Sequence, residues 1–134
     1  MNQVKRVDWD KYRSKLLPII EHTEKRNDHE FAFQIDKALS DERAFLFVGE
    51  DGFFVLRPIV RKGITITEIM FAYAWSSNAI DTYQMLIEEL ALKAKASAIQ
   101  LRTVVVGLIP SLVEQGFKKE AGNQRIMVWT KEIS

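Results

Sequence analysis

Two short glycine turns divide the middle of the chain into three apolar runs, and this spacing limits the folds that the sequence can adopt. Asp51-Gly52 and Lys62-Gly63 can supply the positive φ that tight hairpins need. Two consecutive hairpins predict an antiparallel meander. The three predicted strands are Arg43–Gly49, Phe53–Arg61 and Ile64–Trp75. Pro58 marks an edge or a bulge within the second of them, because proline cannot donate a ladder hydrogen bond.

The region after the meander has the pattern of a crossover. Ile80 to about Ser97 repeats apolar residues at helical spacing, and Ala98–Val106 is predicted as the next strand. A strand, a helix and a strand joined by short connections place the two strands side by side and parallel. The third meander strand should therefore neighbour Ala98–Val106 in the sheet.

Helical patterns also occur on both sides of this central region. Asp8 to about Arg26 is predicted as a helix that Pro18 kinks or divides, and Asp28 to about Ser40 as a second helix. Near the other end, Gly107–Gly116 is predicted as a short helix and Gln124–Ile133 as the last strand. The fold class is therefore α/β with a mixed sheet.

Composition limits the functions that the chain can perform. Its 134 residues fit one domain, predicted over residues 1–134, and 47% hydrophobic residues can fill one core. A net charge of +1 gives no general attraction to nucleic acid or to an anionic membrane. The absence of cysteine excludes disulfides and a thiolate nucleophile. No secretory signal is visible in Met1–Arg13, and Ile69–Ile80 is too short and polar to cross a bilayer, so we expect a cytoplasmic protein.

The order of these elements, with a Gly116-Phe117 pair before the last strand, resembles the GNAT family of acetyl-CoA-dependent N-acetyltransferases. The resemblance extends from about Lys5 to Ile133, and its most specific stretch is Leu112-Val113-Glu114-Gln115-Gly116-Phe117-Lys118-Lys119-Glu120. It implies a fold of two N-terminal helices, a meander, a crossover with splayed central strands, and a C-terminal helix and strand. Small divergent versions of the fold occur in phage and prophage genomes, and this short chain resembles them.

The resemblance also implies where acetyl-CoA would bind. The strands matching Ile64–Trp75 and Ala98–Val106 would separate at one end, and the pantetheine arm would lie in the gap with its thioester near Ala72–Ala74. The pyrophosphate would sit at the start of the next helix, near Asn78–Asp81, where free N–H groups suit an anion. The implied cofactor-binding residues are Ala72, Tyr73, Ala74, Trp75, Ser76, Ser77, Asn78 and Ala79.

Two positions depart from the family pattern. The segment Trp75–Thr82 contains neither glycine nor a basic residue, and Asp81 would place a carboxylate near the pyrophosphate. The position of the tyrosine that protonates the departing thiolate in many members is Leu112, which cannot transfer a proton. Ser111 is adjacent, but it is a poor acid and a helix neighbour that should point elsewhere.

Each candidate site residue can be interpreted as functional or as purely structural. Glu68 lies on the third meander strand, where the family often carries the general base, and the alternative is an exposed or salt-bridged strand residue. Phe71, Tyr73 and Trp75 could line a cleft or pack in the core. Lys93, Lys95, Lys118 and Lys119 could hold a nucleotide 3′-phosphate or be solvated. His22 and His29 lack metal-ligand spacing, so no metal site is predicted.

Two functions remain open from the sequence. The first is an acyl-CoA-dependent N-acyltransferase that moves an acetyl group to a small-molecule or protein amine. The second is a binding or structural module that keeps this fold and does not use acetyl-CoA. Neither interpretation involves nucleic acid or a membrane, and pairing or exchange of the last strand could form a homodimer.

Overall fold

A computed structural model describes residues 4–27, 30–75, 78–122 and 124–133 of the chain. Its strands form one seven-stranded sheet in the order β1-β2-β3-β4-β5-β7-β6. The strands are β1 Val4–Val7, β2 Phe45–Gly49, β3 Gly52–Arg61, β4 Ile64–Ala74, β5 Ala98–Thr103, β6 Lys118–Lys119 and β7 Met127–Glu132. The helices are α1 Trp9–Asn27, α2 Ala32–Ser40, α3 Ala79–Lys93 and α4 Ile109–Glu114, and a 3-10 turn, Val106–Leu108, precedes the last of them.

The predicted meander and crossover are both confirmed. Strands β2, β3 and β4 pair antiparallel in sequence order, and β4 pairs parallel with β5 after the crossover through α3. Pro58 lies where β3 is a local edge, since β2 pairs with β3 only as far as Leu56. Its missing N–H therefore costs no ladder hydrogen bond on that side.

The two central strands separate part of the way along their length. The described parallel pairing joins Ile66–Ile69 of β4 to Ala98–Leu101 of β5 and goes no further, although β4 continues to Ala74. A bulge lies just beyond that point, because Val55 is opposite Phe71 while Leu56 is opposite Ile69. Met70 is the extra residue, and such a bulge bends a strand away from its neighbour. The splay implied by the resemblance is thus present in the fold.

Each face of the sheet has its own hydrophobic cluster. One cluster joins α3 and α4 to the face that carries Leu56, Ile69 and Leu101. The other joins α1 and α2 to the opposite face through Phe53, Val55 and Phe71. Because side chains alternate along a strand, neighbours of Leu56, Ile69 and Leu101 project toward the α1/α2 face.

The structure corrects two predictions about the first helices. Helix α1 runs without a break through Pro18, so no second helix begins there; Leu16 and Ile20 on either side are buried in the core and hold it together. Helix α2 begins at Ala32 and not at Asp28, a residue outside the described part of the chain. Glu24 of α1 accepts hydrogen bonds from the N–H groups of Phe31 (2.7 Å) and Ala32 (3.0 Å), which caps α2 from a distance.

Several boundaries also move by a few residues. Helix α3 ends at Lys93 and β5 at Thr103, earlier than predicted, and the last strand begins at Met127. Strands β1 and β6 were not predicted. Strand β6 pairs with Trp129 and Thr130 of β7, so β7 has a neighbour on both sides at these two residues. Among the described residues, no helix is long and apolar enough to cross a membrane.

Candidate functional site

A cavity of about 490 Å³ opens where β4 and β5 separate, a size typical of small-molecule sites. Its walls come from the splayed ends of both strands, the start of α3, and the region where α1 leads into α2. Backbone groups of Met70–Ala74 on the side of β5 have no strand partner in the described pairing, so they can bind a ligand. The lining described on the β4 and α3 side is Glu68, Ile69, Met70, Phe71, Ala72, Tyr73, Ala74, Asn78, Ala79 and Ile80.

The structure brings most of the predicted cofactor-binding residues to this cavity. Ala72, Tyr73, Ala74, Asn78 and Ala79 all line it. Trp75 lies outside its lining, because its backbone N–H donates to the carbonyl of Asp51 (2.8 Å) and its indole N–H to that of Glu50 (2.8 Å). Ser76 and Ser77 lie outside the described residues.

The aromatic residues of β4 serve both roles that the sequence left open. Phe53 is fully buried and contacts the rings of Phe71 (5.6 Å between centroids), Tyr73 (6.0 Å) and Trp75 (6.1 Å). Phe71 and Tyr73 also line the cavity. The wall on this side is therefore aromatic, and its rings pack against the buried ring of Phe53.

Glu68 is a buried, salt-bridged residue at the base of the splay. It is 6% exposed and pairs in register with Arg57 of β3, whose Nη2 donates to Oε1 at 2.7 Å. Arg102 of β5 donates from Nη1 to Oε2 at 3.4 Å. All three side chains line the cavity. The carboxylate is held by charge-assisted hydrogen bonds on both oxygens, which fixes its position at the point where the strands part.

The two arginines were not identified from the sequence, although a signal was present. Arg57 follows Leu56 and Arg102 follows Leu101, so each is a charged residue directly after a buried leucine of a strand. Each also projects to the same face as Glu68, because Leu56, Ile69 and Leu101 share the α3 face. What the sequence alone did not supply is the register that places β3 and β5 on the two sides of Glu68.

Two N–H groups at the start of α3 already have a side-chain acceptor in the protein. Asn78 is its N-cap, and Oδ1 accepts hydrogen bonds from the N–H groups of Ile80 (2.8 Å) and Asp81 (3.4 Å). The Asp81 carboxylate accepts a hydrogen bond from Ser111 Oγ at 3.2 Å and one from Gln115 Nε2 at 3.4 Å. These contacts join the first turn of α3 to α4. A negative charge and a cap thus occupy the region where a pyrophosphate was expected.

Helix α4 presents Ser111, and not Leu112, to this region. Leu112 is fully buried in the core under α3, and Ser111 Oγ accepts a hydrogen bond from Asn78 Nδ2 at 3.0 Å. Ser111 points away from Leu112, toward the first turn of α3, and it is not among the described residues that line the cavity. Ser111 also donates to Asp81, a geometry in which it orders the helix start.

Other predicted ligands lie apart from the cavity. Lys93 and Lys95 lie at the far end of α3, and Lys119 donates to the carbonyl of Gly122 (2.9 Å). None of these lysines is among the described residues that line the cavity. Across 4–27, 30–75, 78–122 and 124–133, no group of three potential metal ligands comes together.

The same architecture occurs in solved structures over nearly the whole chain. FeeM, an N-acyl amino acid synthase from uncultured soil microbes, matches with a TM-score of 0.78 at 10% identity, over 99% of this chain and 91% of that chain. A GNAT-family acetyltransferase from Listeria monocytogenes matches with a TM-score of 0.63 at 15% identity, over 98% and 94%. The PaiA N-acetyltransferase of Thermoplasma acidophilum, solved with coenzyme A, matches with a TM-score of 0.62 at 11% identity, over 98% and 99%.

These likenesses define the fold of the chain as that of the GNAT acetyltransferases. Comparison of the sequence with family models gives no match, and no curated protein matches it.

The described residues fit coenzyme A in one part and not in another. The splayed backbone beside Ala72–Ala74 has no strand partner in the described pairing and borders the cavity, so its hydrogen-bonding groups could pair with a pantetheine arm. The first turn of α3 is less suited to a pyrophosphate, because Asn78 already caps it and Asp81 adds a like charge.

Proposed function

We propose that this chain is an acyl-CoA-dependent N-acyltransferase that moves an acetyl group from acetyl-CoA to an amine. The observation that supports the proposal most is the separation of β4 from β5 after Ile69 and Leu101. It leaves strand backbone free beside a cavity of about 490 Å³ that reaches the α1/α2 face. A donor entering between the strands would present its acyl group to an acceptor held on that other face.

Catalysis in this proposal is mostly a matter of position. Backbone N–H groups of Ala72–Ala74 polarise the thioester carbonyl, and the walls of the cavity hold the amine against it. Glu68 takes the proton of the attacking amine, directly or through a water molecule, as the nitrogen bonds to the carbonyl carbon. The carbon–sulfur bond then breaks, and the thiolate takes its proton from water, because Leu112 offers none.

A second candidate is a binding module that keeps the fold and uses no acetyl-CoA. The observation that supports it is the occupied start of α3, where Asn78 caps the helix and Asp81 carries the charge that a phosphate would meet. In this candidate the cavity would hold a different small molecule or a partner side chain. Binding of the pantetheine arm separates the two candidates.

Isothermal titration with acetyl-CoA, coenzyme A and pantetheine is the test. The enzyme proposal expects heat from all three ligands, with micromolar dissociation constants for acetyl-CoA, and N-acylation of amines in a subsequent screen. If none of the three ligands gives heat, and the melting temperature is unchanged at high ligand concentration, the enzyme proposal is overturned in favour of the binding module.

The variant Asp81→Asn tests in the same titration whether the pyrophosphate of coenzyme A lies near the start of α3. It removes the exposed carboxylate beside the expected pyrophosphate, a repulsion of about 1 kcal/mol at 4 Å in water, so coenzyme A should bind about fivefold tighter. Pantetheine carries no phosphate, so its affinity should not change. Asp10→Asn is the matched control, since Asp10 is an exposed carboxylate in the first turn of α1. Equal gains for coenzyme A and pantetheine would contradict a phosphate at this position.

A further inference from the structure

The acceptor side of the cavity carries an excess of positive charge. The charged side chains described in its lining are Arg26, Arg57 and Arg102, together with Glu30 and Glu68. Three guanidinium groups face two carboxylates there. The cationic pair Arg57 and Arg102 lies on the α1/α2 face at the point where β4 and β5 part, next to the expected acyl group.

The two arginines beside Glu68 differ in how firmly they are held. Arg57 is the closer partner at 2.7 Å, and 31% of its side chain is exposed. Arg102 contacts Glu68 at 3.4 Å, with 42% of its side chain exposed. A guanidinium has five N–H donors, and the described contacts of Arg102 use one of them. Arg102 therefore has donors left for a ligand, while Arg57 mainly fixes the carboxylate.

Arg26 adds a further cation, for which the described part of the chain shows no ion pair. It is exposed on the last turn of α1 and lines the same cavity. The wall between these cations is apolar and aromatic, through Phe31, Phe71 and Tyr73. A site of this kind complements a molecule with an apolar body and an anionic group.

We propose that the acceptor is an amine that also carries a carboxylate, such as an amino acid with an apolar side chain. Arg102 binds the carboxylate in a forked arrangement, with Arg26 adding attraction, and Glu68 beside it receives the amine. Opposite charges on Glu68 and Arg102 match the ammonium and carboxylate of a zwitterion, so one neighbouring pair of residues selects and orients the acceptor. The inference rests on the proposed acyl transfer and names the acceptor class for it.

The test compares matched acceptors in the same assay. Phenylalanine and leucine are each offered with acetyl-CoA beside their own amides, which keep the amine and the side chain but lose the carboxylate. We expect kcat/KM to be about tenfold to a hundredfold higher for the acids than for the amides, the range of a charged hydrogen bond. Titration of each acceptor into the protein in the presence of coenzyme A should show the same preference without turnover.

Arg102→Gln should abolish that preference. The variant is expected to raise KM for the acids about tenfold or more and to leave the amides unchanged. The control is Arg61→Gln, which removes an exposed arginine four residues after Arg57 on β3 and outside the described lining of the cavity. It should behave as wild type, and circular dichroism should show that both variants are folded.

Each outcome decides a separate point. Equal rates for acids and amides would overturn the acceptor class and leave the acyltransfer proposal intact. Preference for the acids that survives Arg102→Gln would overturn the role of this residue. Absence of transfer to every acceptor, with no binding of donor, would overturn the proposed function and this inference with it.

Discussion

Replacement of Glu68 by glutamine separates its structural role from its proposed catalytic role. Glutamine keeps the length of the side chain and an oxygen that can still accept from Arg57, but it removes the negative charge and cannot take a proton. A residue that only holds two arginines should affect stability alone. A general base should affect turnover far more than stability.

The stability effect can be worked from the geometry. Glu68 is 6% exposed and makes charged hydrogen bonds at 2.7 and 3.4 Å. Each such bond contributes about 1.5–3 kcal/mol, but both arginines are about a third exposed or more and can regain water when the charge is lost. We therefore expect a decrease in the free energy of unfolding of about 2 kcal/mol. For a chain of this size that lowers the melting temperature by about 8 °C.

The catalytic effect is expected to be much larger. Loss of a general base lowers kcat by about 10²–10⁴-fold, which corresponds to about 3–5 kcal/mol in the barrier. The assay follows free thiol released from acetyl-CoA at saturating acceptor, below the melting temperature of the variant. The dissociation constant for coenzyme A should not change, because Glu68 lies on the acceptor face.

Glu88→Gln is the matched control for this variant. Glu88 is a half-buried carboxylate on α3, salt-bridged to Lys131 at 2.9 Å, and it does not line the cavity. Its replacement should lower stability without lowering kcat. A Glu68→Gln protein that keeps kcat within threefold of wild type while losing stability would refute the base role and leave Glu68 as an ion-pair residue.

The remaining predictions concern the stability of the fold. Gly52→Ala should lower the free energy of unfolding by about 3 kcal/mol in urea titration, because the added Cβ would overlap the carbonyl of Tyr73. Gly63→Ala has open space around the added Cβ, so it should lower the free energy of unfolding by only about 1 kcal/mol. Equal costs for the two variants would contradict this difference. Asn78→Ala should cost about 1 kcal/mol through loss of the α3 cap, and no change in melting temperature would contradict it. The hydrogen bond from Arg13 lowers the pKa of Asp36, so this group stabilises the fold above about pH 4 and the contribution is lost as pH falls through the folded pKa. The stability gap between wild type and Asp36→Asn should therefore shrink in acid, and a gap that widens below pH 4 would be inconsistent with this linkage.

The order of β2, β3, β4 and β5 could be predicted because its signals are local, whereas the position of the cleft was implied by the resemblance to the GNAT family. The glycine turns at Asp51-Gly52 and Lys62-Gly63 fixed the meander, and the helix between two apolar runs fixed the crossover. The cap of α2 could not be predicted, because it comes from Glu24 on the preceding helix and competes with a local start signal at Asp28. Strand β1 has two charged residues among four and depends on pairing with β2 for its conformation.

Some residues of the candidate site could be predicted from the sequence, and others could not. Glu68 and the residues Ala72–Ala74 were found from one strand and its resemblance, and they do line the cavity. Arg57 and Arg102 lie 45 residues apart in sequence and meet only through the register of β3, β4 and β5. The role of Ser111 depends on the contact between α4 and the start of α3, which no periodicity in the sequence encodes.

The charges at the two ends of the cavity suggest how a donor would be selected in the proposed reaction. At the start of α3, Asn78 already accepts from two N–H groups and Asp81 places a negative charge at the positive end of the dipole, so phosphate would add little there. The binding energy of a donor would then come from its pantetheine arm along the free backbone of β4 and from its acyl group at the aromatic wall. Since hydrogen bonds to backbone are screened less by salt than contacts between exposed charges, donor affinity should not fall as salt is added, and screening of the repulsion from Asp81 should raise it slightly. Acceptor affinity, which would depend on Arg102 and Arg26, should fall as salt is added.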